Sequence, residues 1–166
     1  MKKIIQGNSQ PANVSHGLIV DTNTLTILPY TLDANTLYRV ELNVTSPPDS
    51  KGYAAYDLMT NDLPSDGSCN VSLFQGMLLK TTFVCVCGAW YDKHPPLTFQ
   101  YWYSVDGKHF NLFYYGENSQ SSPMYFEAGL EERNRTVTIK AIITDGLGAS
   151  VVRFLSIKVG FWCLCI

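Results

Sequence analysis

The side chains best equipped for chemistry in this 166-residue chain are its five cysteines, Cys69, Cys85, Cys87, Cys163 and Cys165. Thiols pair as disulfides, bind soft metals or act as nucleophiles. A structural zinc site needs four ligands at suitable spacing. Cys85-x-Cys87 and Cys163-x-Cys165 supply four sulfurs, but there is no C-x-x-C and no clustered histidine. A disulfide is therefore expected over zinc, and no metal or cofactor is expected. In a strand, side chains alternate, so Phe83, Cys85 and Cys87 share one face. Antiparallel partners have position numbers with a constant sum. A hairpin centred on Leu78 sets Cys69 opposite Cys87, and one centred on Met77 sets it opposite Cys85. Spacing alone leaves both partners open. Closing such a loop is worth about 3 kcal/mol in the chain-entropy model.

The other reactive types are dispersed. His16, His94 and His109 lie far apart, without a nucleophile or orienting carboxylate at diagnostic spacing. Asp57, Asp62 and Asp66 offer oxygens for calcium, but no loop pattern accompanies them, and solvated turns are the expectation. Four sequons begin at Asn13, Asn43, Asn70 and Asn134. With the cysteines they point to the secretory pathway. Met1-Lys2-Lys3-Ile4-Ile5 opens like a signal peptide, but Gln6-Gly7-Asn8-Ser9-Gln10 interrupts it. The expectation is an address supplied from elsewhere, or a fragment.

These residues need a scaffold, and the scaffold reads as all-β. Hydrophobic residues make up 46 % and charged residues 16 %, enough apolar material for a core. The formal net charge of −2 and scattered Lys and Arg lack the basic stripe of a nucleic-acid binder. No apolar run approaches the roughly 20 residues of a bilayer-spanning helix. Gly, Pro and β-branched residues interrupt every helical window. Short strands between turn clusters recur instead. Residues 17–28 read as two strands, or one strand and a polar turn. Strands follow over 37–44 and 53–60, separated by a loop over 46–52. A linker is placed at 61–67. Residues 1–60 are too few for a sandwich of about seven strands in about 100 residues, so they read as the closing strands of a partial immunoglobulin/fibronectin III-like domain. Residues 68–160 offer seven strands: 70–74, 80–87, 97–104, 109–115, 124–128, 135–143 and 150–159. Asp106-Gly107 and Asp145-Gly146 mark hairpin turns. Pro95-Pro96 bars a strand before Leu97. Residues 161–166 form an apolar tail, read as a truncation; Cys163-Leu164-Cys165-Ile166 fits a prenylation box only formally.

Gly67-Ser68-Cys69-Asn70-Val71, Gly76, Thr81-Thr82-Phe83, Cys87, Trp90-x-Asp92 and Pro96-Leu97-Thr98-Phe99 resemble the receptor-for-egg-jelly (REJ) module of polycystin-like membrane proteins. The likeness covers about residues 37–160 and is most specific over 66–98. It implies a fibronectin III-like sandwich, in agreement with the strand count. It also implies a Cys69–Cys87 bridge with Cys85 as an extra buried thiol. The family's Gly-Trp stands here as Gly88-Ala89-Trp90, an irregularity after the strand. Trp90, Asp92, Pro96 and Leu97 form the structural motif; Trp90 and Asp92 could make a ligand patch, but a Trp packing on the disulfide and an Asp closing a turn is the expectation. Tyr101 and Tyr103 are the candidate interaction face, against ordinary sheet covering.

By this resemblance the chain is a non-enzymatic extracellular module of a receptor linked to calcium-channel signalling and to mechanical or ligand sensing. Its expected partners are protein or glycan ligands at the cell surface, other domains of the same receptor and channel subunits. Its expected place is the extracellular face of the cell membrane, or secretion for a truncated isoform. The alternative is a β-sandwich hydrolase or carbohydrate-active domain, which needs paired carboxylates in a cleft. An intracellular adaptor with free thiols is a third reading, excluded by an oxidised Cys69.

Overall fold

The computed structural model describes residues 2–8, 13–15, 18–21, 24–28 and 31–161, with side chains from residue 24 onward. The chain divides into two compact units, Met1–Asp62 and Leu63–Ile166. Both are all-β, and the described residues contain no α-helix.

The first unit holds β1 (Lys2–Asn8), β2 (Asn13–Ser15), β3 (Leu18–Asp21), β4 (Thr24–Ile27), β5 (Leu37–Ser46) and β6 (Ser50–Met59). β2, β3 and β4 form a meander. β1 runs parallel to β5, which pairs antiparallel with β6. The alternation read over 37–44 orients β5: Tyr38 is buried, while Arg39 on the other face chelates its cross-strand partner Asp57 at 2.6 and 2.8 Å. The expected seven-residue loop is shorter. Ser46 already pairs with Ser50, because only the prolines of the cis Pro47-Pro48 pair lack a donor, and the residues flanking them continue the ladder.

The second unit holds β7 (Ser68–Val71), β8 (Gln75–Met77), β9 (Cys85–Gly88), β10 (Thr98–Ser104), β11 (Asn111–Gly116), β12 (Thr136–Thr144) and β13 (Ser150–Gly160), with a 3-10 turn at Glu131–Arg133. Five strands form one sheet in the order β11-β10-β12-β13-β8, and β7 pairs with β9 in a second. Val137, Ile139, Ala141 and Ile143 of β12 are all 0 % exposed, so the strand most central in sequence pattern lays its whole apolar face on the core. Val71, Phe83, Cys85, Cys87, Phe99, Tyr101, Phe126, Ile157 and Val159 complete that core. Burying each such large apolar side chain is worth about 1.5–3 kcal/mol.

Two strand expectations are corrected. The segment 124–128 makes a single bridge, Met124 with Phe83, and no strand. It lies beside β9, where Ser121 Oγ accepts the Cys85 N–H at 3.0 Å and Pro123 has no N–H with which to extend a ladder. The strand read over 80–87 begins only at Cys85: the Lys80 and Thr81 N–H groups close a turn on the Met77 carbonyl, and Phe83 makes an isolated bridge with Met124. In exchange β8, unmarked in the sequence, pairs parallel with β13.

Candidate functional site

Three groups of chemistry-bearing side chains arise from this framework. The first is the cysteine clasp. β7 and β9 pair with the register sum that centres on Leu78, so Cys69 faces Cys87 and the two form a disulfide. Cys85 faces Val71, is 0 % exposed and keeps a free thiol. Burial pushes that thiol up to about 12, so almost no nucleophilic thiolate exists at neutral pH. Trp90 follows Ala89, whose φ of 61° makes the irregularity after the strand. Its ring packs against the core and against Gly67, where any Cβ would collide with it. The Arg153 guanidinium covers the ring at 5.1 Å.

The second group sits where two turns meet. Asp92 Oδ1 accepts the His94 N–H at 2.8 Å and lies 3.5 Å from His94 Nδ1. Asp145 Oδ1 accepts the N–H groups of Leu147 and Ala149 at 2.9 and 2.8 Å. The Gly146 N–H donates to the His94 carbonyl at 2.7 Å and joins the turns. Ligand atoms of Asp92, His94 and Asp145 lie within 4.8 Å of one another. Oxygen and imidazole donors of this kind suit a divalent cation in type. In each aspartate, however, one carboxylate oxygen already organises its own turn. Asp92 closes a local turn; its meeting with Asp145 has no local sequence signal, since the two lie 53 positions apart. Pro95-Pro96 is cis, Pro96 is exposed, and Leu97 packs on the core. Of the aspartates weighed for calcium, Asp57 is held by Arg39 and Asp66 accepts from Ser65 Oγ at 2.8 Å.

The third group is the turn after β10. Asp106 accepts from the Lys108 and His109 N–H groups at 2.7 and 2.8 Å and from Ser104 Oγ at 2.8 Å, and its Oδ2 lies 2.6 Å from His109 Nδ1. The His109 side chain first, then these N–H donors and Ser104, hold its carboxyl far below the usual range. A depressed folded pKa stabilises the fold above the unfolded value of about 3.9 and loses that contribution as pH falls. Asp106→Asn is therefore expected to lower the melting temperature at pH 7. The gap to the native chain should close progressively as pH drops below about 4, which thermal melts across pH will measure. A gap unchanged down to strong acid would remove the carboxylate from the account.

The expected Tyr101–Tyr103 interaction face is corrected. Tyr101 is 0 % exposed, stacks on Phe113, packs at a tilt against Tyr114, and donates from its hydroxyl to the Ser119 carbonyl. Burial first, with the nearby Cys85 second, raises its phenol above the ordinary range. Tyr103 is half-buried against Phe113 and Phe126, with its phenol raised by burial first and then by Glu127. The opposite parity faces outward, carrying Gln100 and Trp102. Asn43, Asn70 and Asn134 of the sequons are exposed. The side chain of Asn13, together with His16, Cys163 and Cys165, lies outside the described residues.

Comparison with known proteins agrees with this architecture. The family model of the REJ domain matches residues 1–161, so the match also takes in β1 to β4, which the sequence resemblance had left out. A human (Homo sapiens) protein named polycystin-1-like protein 1 is 28 % identical over 134 residues, 80 % of this chain and 4 % of that protein. Its counterpart of the same name in Mus musculus is 30 % identical over 129 residues, 76 % of this chain and 5 % of that protein. The chain thus spans a small fraction of the length of these relatives. The matched family, the all-β fold and the Cys69–Cys87 clasp lead to one conclusion: this chain belongs to the REJ domain family.

Proposed function

We propose that the chain serves as a non-enzymatic extracellular structural and interaction module of a polycystin-like membrane receptor. Within it, residues 1–60 would be the closing part of an immunoglobulin/fibronectin III-like domain, 61–67 a linker and 68–160 a fibronectin III-like sandwich. The observation that carries this reading is the Cys69–Cys87 disulfide inside a REJ-family fold, because structural disulfides persist in oxidising compartments. Exposure of the sequon residues Asn43, Asn70 and Asn134 supports the same compartment, since each leaves room for a glycan. No helix among the described residues is long and apolar enough to cross a membrane. By kinship, the receptor would be linked to calcium-channel signalling and to mechanical or ligand sensing. Its partners would be cell-surface proteins or glycans, sister domains and channel subunits.

A β-sandwich hydrolase calls for two carboxylates about 5–9.5 Å apart in a cleft. One cavity among the described residues, about 230 Å³, is lined by Gln75, Gly76, Met77 and Thr81.

The test is a non-reducing peptide map of the chain secreted from mammalian cells behind a heterologous signal. The expected map shows Cys69 joined to Cys87, Cys85 unalkylated until denaturation, and glycan on at least one of Asn43, Asn70 and Asn134. Free thiols at both Cys69 and Cys87 would overturn the reading.

A further inference from the structure

Two apolar rows cross the outer face of the five-stranded sheet, and a lysine is held among aromatic rings within them. The registers of β10 with β11 and β12, and of β12 with β13, align Leu112, Trp102, Lys140 and Phe154 in one row across four strands. The neighbouring row is Tyr115, Gln100, Ile142 and Val152. Leu112, Tyr115, Val152 and Phe154 are 48, 64, 42 and 62 % exposed. Such contiguous apolar exposure on a sheet marks a contact surface more often than bare solvent covering. In the middle of the row, Lys140 Nζ lies 5.0 Å from the Trp102 ring centre and 4.6 Å from that of Phe110. Phe110 in turn packs on Phe154 at 6.3 Å.

The charge pattern says what such a face takes. No aspartate or glutamate occurs on β10, β11, β12 or β13. Among the described residues the ion pairs Arg39–Asp57, His94–Asp92, His109–Asp106 and Arg135–Glu131 do not involve Lys140. An ammonium held among rings is partly stripped of water, which strengthens its attraction for an arriving anion. Trp102 Nε1 already donates to Gln100 Oε1 at 3.2 Å, so the polar groups of these two rows are largely engaged, and Thr98, Thr144, Ser150, Thr138 and Ser156 lie in the flanking rows. A second copy seated row on row about a two-fold axis parallel to the row would oppose Lys140 to Lys140.

We propose that this face docks a protein segment that places a carboxylate beside an aromatic or aliphatic side chain. The carboxylate meets Lys140, and the apolar group covers Phe154 and the Trp102 edge. The proposal deepens the interaction-module reading and rests on it.

A random peptide library displayed on phage and selected against the immobilised, oxidised full chain tests it. Enriched peptides are expected to carry Asp or Glu within a residue or two of Trp, Tyr, Phe or Leu. As synthetic peptides they should bind at least about tenfold more weakly to Lys140→Glu and to Phe154→Ser, the scale of losing one central contact. Lys140→Arg should restore binding. Both outward-facing variants should melt near the native chain; if Phe154→Ser does not fold, Val152→Ser takes its place. Enriched peptides without acids, or binding that ignores Lys140 and Phe154, overturn the proposal. So does concentration-dependent self-association abolished by Phe154→Ser, which would give the face to a second copy. Such a failure on a chain with an intact Cys69–Cys87 bridge sinks the surface alone, whereas free thiols at both positions sink the module reading beneath it.

Discussion

Tyr101→Ala is expected to lower the unfolding free energy by about 3–5 kcal/mol, the range for deleting a large aromatic from a packed core. The ring is 0 % exposed and sits 6.1 Å from the Phe113 ring and 5.5 Å from the Tyr114 ring. Its removal leaves a void bordered by β11 and by the extended chain beside β9, neither of which can collapse without breaking backbone hydrogen bonds. Tyr101→Phe separates the ring from the hydroxyl. It should cost only about 1 kcal/mol, because the Ser119 carbonyl keeps a second donor, the Cys87 N–H at 3.0 Å. Native stability is typically only about 5–15 kcal/mol, so the alanine variant should be marginal at 37 °C. Urea unfolding of the two variants side by side provides the measurement. Equal costs would mean that the ring does not fill the core.

The disulfide supplies the second large effect. Cys69 and Cys87 are 18 residues apart in sequence, and closing a loop of that size restricts the unfolded chain by about 3 kcal/mol. Cys69→Ser should therefore lower the melting temperature by roughly 10–20 °C. Cys85→Ala leaves the clasp intact and should cost well under half as much, since it removes only a sulfur atom from the core. The pair of variants distinguishes the cross-link from the packing of sulfur. If Cys85→Ala proved the more damaging, Cys69 would have to pair with Cys85 in solution. With Cys69 replaced, Cys87 becomes a second buried thiol two residues from Cys85 on the same face. Alkylation of both only after denaturation would show that the core stays closed without the bridge.

Much of the scaffold was legible in the chain itself. Alternation along Leu37–Ser46 and Thr136–Thr144 marks strands, because a period of two is a local property of side-chain direction. Asp106-Gly107 and Asp145-Gly146 mark turns, and in both the aspartate carboxylate accepts N–H groups from residues two or more further on. The residues of 66–98 were enough to suggest the family by resemblance.

What the sequence determined by itself, then, was the all-β class, the turn sites and the set of side chains sharing each strand face. Which face points inward was left to the tertiary structure. Alternation fits Tyr101 and Tyr103 outward as well as Gln100 and Trp102 outward, and only packing against β12 and Phe126 selects the second. The same holds for the partner of Cys69, which the β7–β9 register decides between two sulfurs on one face. β8 exists only because β13 offers it a parallel edge, and Asp92 meets Asp145 only because two turns converge. Local chemistry sets the period of a strand. Its phase, its partner and its depth depend on contacts between residues far apart in the chain, where a shift of one position inverts every side chain.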